Sequence, residues 1–383
     1  MKAALDVLIL GAGPAGCATA LALRRQGVAR VMLVDQPLAH AFRIGEAATP
    51  DVPRLVAQLL GGVPVDPPAA PHLYVGNLSR WGGVSRREDF MRRGLAPGWQ
   101  MDRAAFDQGL RELAVAAGTL LRCPARCDDV SRTPEGWAVS LDDGTAWRAR
   151  VLVDASGRRA RLATRLGATR RVADRLVALA TRCPPGAATG LAGHVLVESC
   201  PEGWWYATTL PGGQVLVSLM TDQDVARDRH LRTWPAFVSA WAASSALREC
   251  VPVPEVPQAV APFAAHSGCV DRAAGPGWMA VGDALMSLDP LSSSGLSGAL
   301  RDGLEAADVL LPWLGGDDPA PTGRAWGQRA AGAWARYLAQ RRQLYGQERA
   351  WPDHPFWHRR HAPVPVPVPG ALAPSALEEG ELA

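Results

Sequence analysis

Lysine is almost absent from this 383-residue chain: Lys2 is the only one among 40 basic residues, so arginine carries nearly all the positive charge. That bias belongs to coding more than to function. A surplus of one charge sign is missing too, since 37 acidic residues leave a formal net charge of +3. So small a value points neither to nucleic acid nor to a membrane surface. No apolar run reaches the roughly 18 residues that a membrane-spanning helix needs. The start, "MKAALDVLILGAGPAG", pairs a basic residue with an apolar stretch, but it runs into a glycine motif without a cleavage site. A buried first strand is expected there rather than a signal peptide. Cysteine is sparse. Only Cys123 and Cys127 lie close together, at a spacing that matches no standard metal or redox motif. Reduced thiols of a cytoplasmic protein are expected. Internal repeats and a second glycine-rich phosphate loop are also lacking.

What is present is a chain that is 48% hydrophobic and 20% charged, enough for two or three packed domains. The segment "LDVLIL" is a short apolar strand, "GAGPAG" follows, and "CATALALRRQG" is an Ala/Leu-rich helix. "VARVMLVD" is the next strand, closing a β-α-β unit at Asp35. "DRAAFDQGLRELAVAAG" is a helix with an aspartate cap, and "WAVSLDDGTAWRARVLVDASG" is a hairpin running into a strand that ends at Asp154. The middle changes character. "LAGHVLVES", "GWWYATTL" and "GQVLVSLMT" are strand-like runs joined by turn signals, as in an antiparallel sheet. A parallel-type strand returns at "GWMAVGDA".

The expected fold is α/β: a discontinuous Rossmann-like domain over 1–70, 97–180 and 255–315, with an antiparallel sheet domain inserted at 71–96 and 181–254. A helix over 316–350 and an extended, proline-rich tail over 351–383 complete the chain.

Gly11, Gly13 and Gly16 fit G-x-G-x-x-G between a strand and a helix. The first allows the tight turn, the second lets a pyrophosphate approach the backbone, and the third lets helix and strand pack closely. The helix N-terminus, with Ala15 in its first turn, offers N–H groups and a positive dipole to phosphates. Asp35 ends the second strand, where a carboxylate accepts hydrogen bonds from ribose hydroxyls. The motif alone leaves NAD and FAD open.

Four segments together resemble the FAD-dependent monooxygenases of the glutathione-reductase-like, p-hydroxybenzoate-hydroxylase-type fold. They are "GAGPAG…VMLVD", "MDRAAFD", "VLVDASGRRARLA" and "GWMAVGDALMSLDPLSSSGL". The resemblance implies FAD as cofactor. It sets Arg103, Asp154 and Gly157 in support of the cofactor, and Gly282 and Asp283 at its ribityl and pyrophosphate. The loop with Pro290, Ser294, Gly295 and Leu296 is set at the isoalloxazine, with Gly295 and the helix after it presenting backbone N–H groups to the pyrimidine edge.

"RIGEAATP", residues 43–50, is similar to the strap of flavin-dependent tryptophan halogenases and their relatives. Within that branch, "RWGG…REDF…GWQMDR" and "GWWYATTLPGG" look like the peptidyl tryptophan hydroxylases of tryptophylquinone biogenesis in quinoprotein amine dehydrogenases and oxidases. Two departures from halogenases stand out. Their loop glutamate is matched by Ser292. Their active-site lysine has no counterpart, because Lys2 precedes the first strand. "GWWYATT" also misses their Trp-x-Trp motif.

The resemblance therefore implies an FAD-dependent monooxygenase that hydroxylates a tryptophan in a protein or peptide substrate through a flavin C4a-hydroperoxide. Molecular oxygen is the co-substrate. Electrons come from NAD(P)H or from a separate flavin reductase, and the resemblance adds a larger maturation complex to the expected partners. Hydroxylation of a small aromatic metabolite and a non-enzymatic flavin-binding assembly factor are the alternatives.

Candidate catalytic residues are Glu46 and Trp81. For Glu46 the ordinary alternative is a local hydrogen bond to backbone. Arg43 faces either the FAD or a salt-bridge partner. Trp204, Trp205, Ser292 and Ser293 are candidates for the substrate pocket, the tryptophans against the alternative of plain core. His72 and His194 are expected to be structural. The cluster His354, His358 and His361 lacks a strong metal spacing, and no metal is expected.

Overall fold

The computed structural model describes residues 4–36, 42–62 and 71–362. Lys2 and residues 363–383 lie outside the described part.

The first strand, Leu5–Leu10, is buried on both faces. It pairs in parallel with Val31–Val34 on one side and Ala146–Asp154 on the other. Leu120–Arg122 and Trp278–Ala280 extend the parallel run outward. Apolar, buried residues on both faces mean that both faces of this sheet are covered. The hairpin of Gly136–Leu141 with Ala146–Asp154 turns where Gly144 takes φ 77°. Gly136–Leu141, Cys127–Thr133 and Ala274–Gly275 are antiparallel additions that bring the sheet to eight strands.

In such a sheet, ligands bind beyond the carboxyl ends of the strands. Here those ends deliver Gly11, Asp35, Asp154 and Gly282 to one side of the molecule.

The second sheet has seven strands, in the order 261–264, 176–183, 215–222, 203–209, 194–200, 76–81 and 84–89. Its pairs are antiparallel except 194–200 with 76–81. Strand alternation sorts its side chains. Trp204, Tyr206, Ser218 and Met220 face the parallel sheet's end, whereas Trp205, Val217 and Leu219 face a separate core with Phe237 and Trp241.

The domain limits read from the sequence need adjusting. Strands 176–183 and 261–264 belong largely to the second sheet, because each pairs edge to edge with it. Residues 72–74 leave it, forming a small sheet with 47–48 and 98–100.

Two helices lean on each other beneath the glycine loop. Pro14–Arg25 and Gly295–Gly315 approach so closely that a Cβ at Gly303 would stand 2.4 Å from the Ala18 Cβ and 2.7 Å from the Thr19 backbone nitrogen. Only glycine fits there.

The C-terminal region is no appendage. Pro319–Gly346 is a long helix capped by Asp318, and Pro355–His361 forms another. Phe356 and Trp357 are fully buried, and Arg360 pairs with the buried Asp222 at 2.7 Å. Residues 351–362 are therefore packed structure rather than extended tail. Their aromatic side chains outweigh the composition of the prolines that follow.

Candidate active site

One cavity of about 1070 Å³ runs from Asp35 past the glycine loop to the inner face of the second sheet. That lies at the upper end of the volumes typical of small-molecule sites. Gly11, Gly13, Pro14 and Ala15 line one side. Gly11 takes φ 111°, and a Cβ on it would strike the Ala155 carbonyl oxygen at 2.1 Å. A Cβ at Gly13 would meet nothing within 4 Å, so the cradle is open there. The first helix carries neither a side-chain cap nor an acid in its first turn, and neither does the helix beginning at Gly295. Two uncapped N-termini thus offer free N–H groups and positive dipole ends to the cavity.

Asp35 accepts from Arg111 Nη2 at 2.6 Å, and the same arginine donates through Nε to the Ala12 carbonyl at 2.9 Å. Arg111 ties ribose acid and phosphate loop together, although no sequence motif marked it. It lies on one face of its helix with Arg103 and Asp107, at i, i+4 and i+8, and that spacing was the available signal.

These residues fit FAD. The glycine cradle and first helix would hold the pyrophosphate, Asp35 the adenosine ribose, and the start of the second helix the flavin ring.

The strap crosses the middle of the cavity. Arg103 Nη1 donates to the carbonyls of Ile44 and Gly45, at 3.2 and 3.3 Å, and its other nitrogens reach Asp107. Arg43 also pairs with the buried Asp107, so its salt-bridge alternative is realised while it lines the cavity. Glu46 is wholly buried. Its Oε2 accepts from the Gly45 N–H at 2.7 Å, whereas Oε1 has no partner. Burial pushes its carboxyl up to about 7, against the pull of Arg103 and Arg182. With it the cavity is lined by Tyr74, Asn77, Val195, Val197, Trp204, Tyr206, Leu216, Ser218, Met220 and Phe263. Ser218 Oγ is likewise buried without a partner, and its cross-strand neighbours are Tyr206 and Ala180.

The serine loop is braced from behind. The carboxylate of Asp289 accepts from Leu291 N–H at 3.0 Å and Tyr345 Oη at 2.8 Å, and its own N–H donates to Tyr337 Oη at 3.0 Å. Arg341 stands beside it at 3.4 Å. Burial still raises the Asp289 carboxyl above its ordinary range. Tyr345 also accepts from Trp204 Nε1 at 3.1 Å, linking the C-terminal helix to both loop and chamber wall. Beyond Asp289, Pro290, Ser293, Gly295 and Leu296 line the cavity, with Ser293 in the left-handed region at φ 51°.

Several expected contacts fall elsewhere. Ser292 turns back on its loop, its hydroxyl donating to the Asp289 carbonyl at 2.8 Å, and Ser294 donates to Ser292 in turn. Neither lines the cavity. Trp205 faces away because adjacent strand residues alternate, and it packs edge-on against Phe237. Trp81 sits in an aromatic cluster with Tyr345 and Trp357, its Nε1 bonded to the Leu344 carbonyl at 2.9 Å. It lies outside the cavity, and that corrects its catalytic assignment.

Gly16, Asp154 and Gly282 form the wall behind the cavity. Asp154 accepts from the N–H groups of Ser156 and Ala163, at 2.9 and 2.8 Å, and Gly282 N–H donates to Asp302 at 3.0 Å. Gly157 and Asp283 reach the cavity itself, Asp283 beside Arg158 at 3.4 Å. His194 is buried against Asp89 at 2.7 Å. Among the described residues no His, Cys, Asp or Glu cluster suited to a metal occurs, and no helix is long and apolar enough to cross a membrane.

Comparison with known proteins places this geometry. The solved structure of the peptidyl tryptophan dihydroxylase QhpG, essential for tryptophylquinone cofactor biogenesis, is 27% identical. It superposes with a TM-score of 0.74 over 94% of this chain and 79% of that one. The myxobacterial chondrochloren halogenase CndH shares the fold with a TM-score of 0.82, at 22% identity, over 94% of this chain and 86% of its own. The putative FAD-dependent oxidoreductase LodB of Marinomonas mediterranea is 29% identical over 93% of this chain and 97% of its own length. A model of the tryptophan halogenase family matches residues 6–64 and 77–365, so this chain belongs to that family and is a flavoprotein oxidoreductase.

Proposed function

We propose that this enzyme hydroxylates the indole of a tryptophan in a protein or peptide substrate, as a step in tryptophylquinone maturation. Glu46 carries the reading: a buried carboxylate with one free oxygen in an apolar chamber, poised near neutral pH. FAD, when bound and reduced, supplies activated oxygen for transfer to an electron-rich ring. The chain does the rest. Trp204, Tyr206, Leu216, Met220 and Phe263 wall the chamber and exclude water. In this reading Ser218 Oγ, buried without a partner at the cavity, accepts a hydrogen bond from the indole N–H. Glu46 Oε1 accepts the proton that leaves the ring carbon as aromaticity returns, a role that works best with a pKa near the working pH.

Oxygen is the co-substrate in this scheme, and NAD(P)H or a separate flavin reductase provides the electrons. Hydroxylation rather than halogenation is supported by Ser292 where halogenases resembling this chain carry a glutamate, and by the absence of any lysine besides Lys2. The 27% identity to QhpG supports the peptidyl substrate.

The test combines the FAD-loaded protein, oxygen, NADPH, a flavin reductase and a quinoprotein precursor subunit. Mass spectrometry is expected to find added oxygen on one tryptophan of the precursor. An unchanged precursor mass while the flavin turns over, or brominated product when bromide is present, overturns the proposal. Turnover of free indoles alone would shift it to a small aromatic substrate.

A further inference from the structure

The strand Val84–Asp89 ends the seven-stranded sheet, and no described residue pairs with its outer edge. Such an edge presents unpaired N–H and C=O groups, a template for another extended chain. Native proteins often blunt an edge with charge, and charge is plentiful here. Residues 80–93 hold five arginines against Glu88 and Asp89, a net +3 that equals the formal charge of the whole chain. The two acids are shared among Arg87, Arg92 and Arg93, with His194 also on Asp89, and Arg86 has no acidic partner among the described residues.

Defence by charge does not account for the apolar groups beside it. Leu73, Val84, Met91 and Leu95 are 58%, 46%, 75% and 43% exposed, and they are half of the large apolar side chains exposed in the described residues. Val84 opens the strand, Met91 and Leu95 follow its end, and Leu73 precedes the neighbouring strand, so apolar side chains stand exposed at both ends of a charged edge, as on an interaction surface.

This surface is continuous with the active-site chamber. Phe90, in the turn after the strand, packs edge-on against Tyr74 with ring centroids 4.8 Å apart. Tyr74 bonds to Asn77, and both line the cavity. Asn77 pairs across the hairpin with Glu88 of the edge strand itself. A segment laid along the edge would therefore lie about two strand spacings, roughly 10 Å, from the chamber's nearest lining strand.

We infer that the edge strand Val84–Asp89 and the turn after it dock the protein substrate, by strand addition of an acidic, extended segment that flanks the target tryptophan. Main-chain bonds to the edge supply affinity, the arginines select acidic side chains, and Met91 and Leu73 take an apolar residue. The inference rests on the peptidyl reading of the chamber and names how that substrate is held.

The probe is a fluorescein-labelled peptide alternating glutamate and valine around one tryptophan, with an arginine-for-glutamate peptide as control. The FAD-loaded protein is expected to bind the acidic peptide and not the basic one. The amides of 84–89 should exchange hydrogen more slowly in the complex. The double variant Arg86→Glu/Arg92→Glu should weaken binding about tenfold at low ionic strength, and Met91→Asp should weaken it independently. Both variants should keep FAD content, which separates docking from folding.

No binding of the acidic peptide, equal binding of the basic one, or amide protection elsewhere than 84–89 overturns the inference. Oxygenation of the peptide with affinity unchanged in these variants also overturns it while leaving the peptidyl reading intact. Binding at this edge with no oxygenation of any tryptophan substrate does the reverse.

Discussion

Glu46 is a residue the fold would rather keep neutral. Burial lifts its carboxyl from an ordinary 4.5 to about 7. A group raised in the folded state binds its proton more tightly there than in the unfolded chain, so ionising it costs stability. The cost is nil below pH 4.5, grows as pH rises toward about 7, and is constant above. Its full size is about 3 kcal/mol. Glu46→Gln keeps an acceptor for the Gly45 N–H and removes the charge. The variant is expected to melt at higher temperature than the parent at pH 8 and at the same temperature near pH 4, as thermal unfolding across pH will measure. Activity should move the opposite way. The parent's turnover should rise with pH through about 7, and the variant's should be flat and about a hundred-fold or more lower. A parent profile without that limb would remove Glu46 from the proton transfer.

At the scale of elements, the site depends on how closely two helices approach. Their N-termini converge on one cavity because Gly303 lets the second helix press against Ala18 and Thr19 of the first. Gly303→Leu forces a side chain into backbone and should cost several kcal/mol, with FAD lost before the fold. Flavin titration and thermal unfolding of the same sample will show the order. Retention of parental FAD affinity would mean that the helices can part without moving their ends.

Gly303 also marks what sequence reading reaches. The glycine loop, Asp35 and the first strand-helix-strand unit were legible because their spacing is local and each residue has a stated backbone reason. Gly303 has no motif around it; its need comes from a helix nearly 300 residues earlier. Trp204 and Trp205 were legible as a pair on a strand but not as wall and core. Alternation separates them, and only the sheet's placement says which face meets the cavity. Ser292 stood at the right place in the chain for the flavin loop, yet its hydroxyl is used up inside the loop. Arg111 was missed because its two partners, Ala12 and Asp35, belong to other elements.

Across the whole molecule, the C-terminal residues close the structure around the site. Tyr337, Arg341 and Tyr345 brace the loop at Asp289, and Tyr345 reaches Trp204 in the chamber wall. The last described helix then covers Tyr345, placing Phe356 and Trp357 at 6.1 and 6.0 Å from its ring. Arg360, 2% exposed in its side chain, neutralises Asp222 at the end of a central strand of the second sheet. Ending the chain after Ala350 removes two fully buried aromatic side chains and leaves Asp222 buried without either arginine. Aromatic truncation in a core costs about 3–5 kcal/mol per residue, and an uncompensated buried charge a similar amount. Together these approach or exceed the roughly 5–15 kcal/mol that holds a domain folded. The shortened chain is expected to aggregate or to melt far below the parent. Ending it instead after residue 362 should preserve parental melting and FAD content, because every contact named here remains. Calorimetry of the two truncations will test this. Equal melting of both would mean that the bracing at Asp289 holds without its aromatic cover.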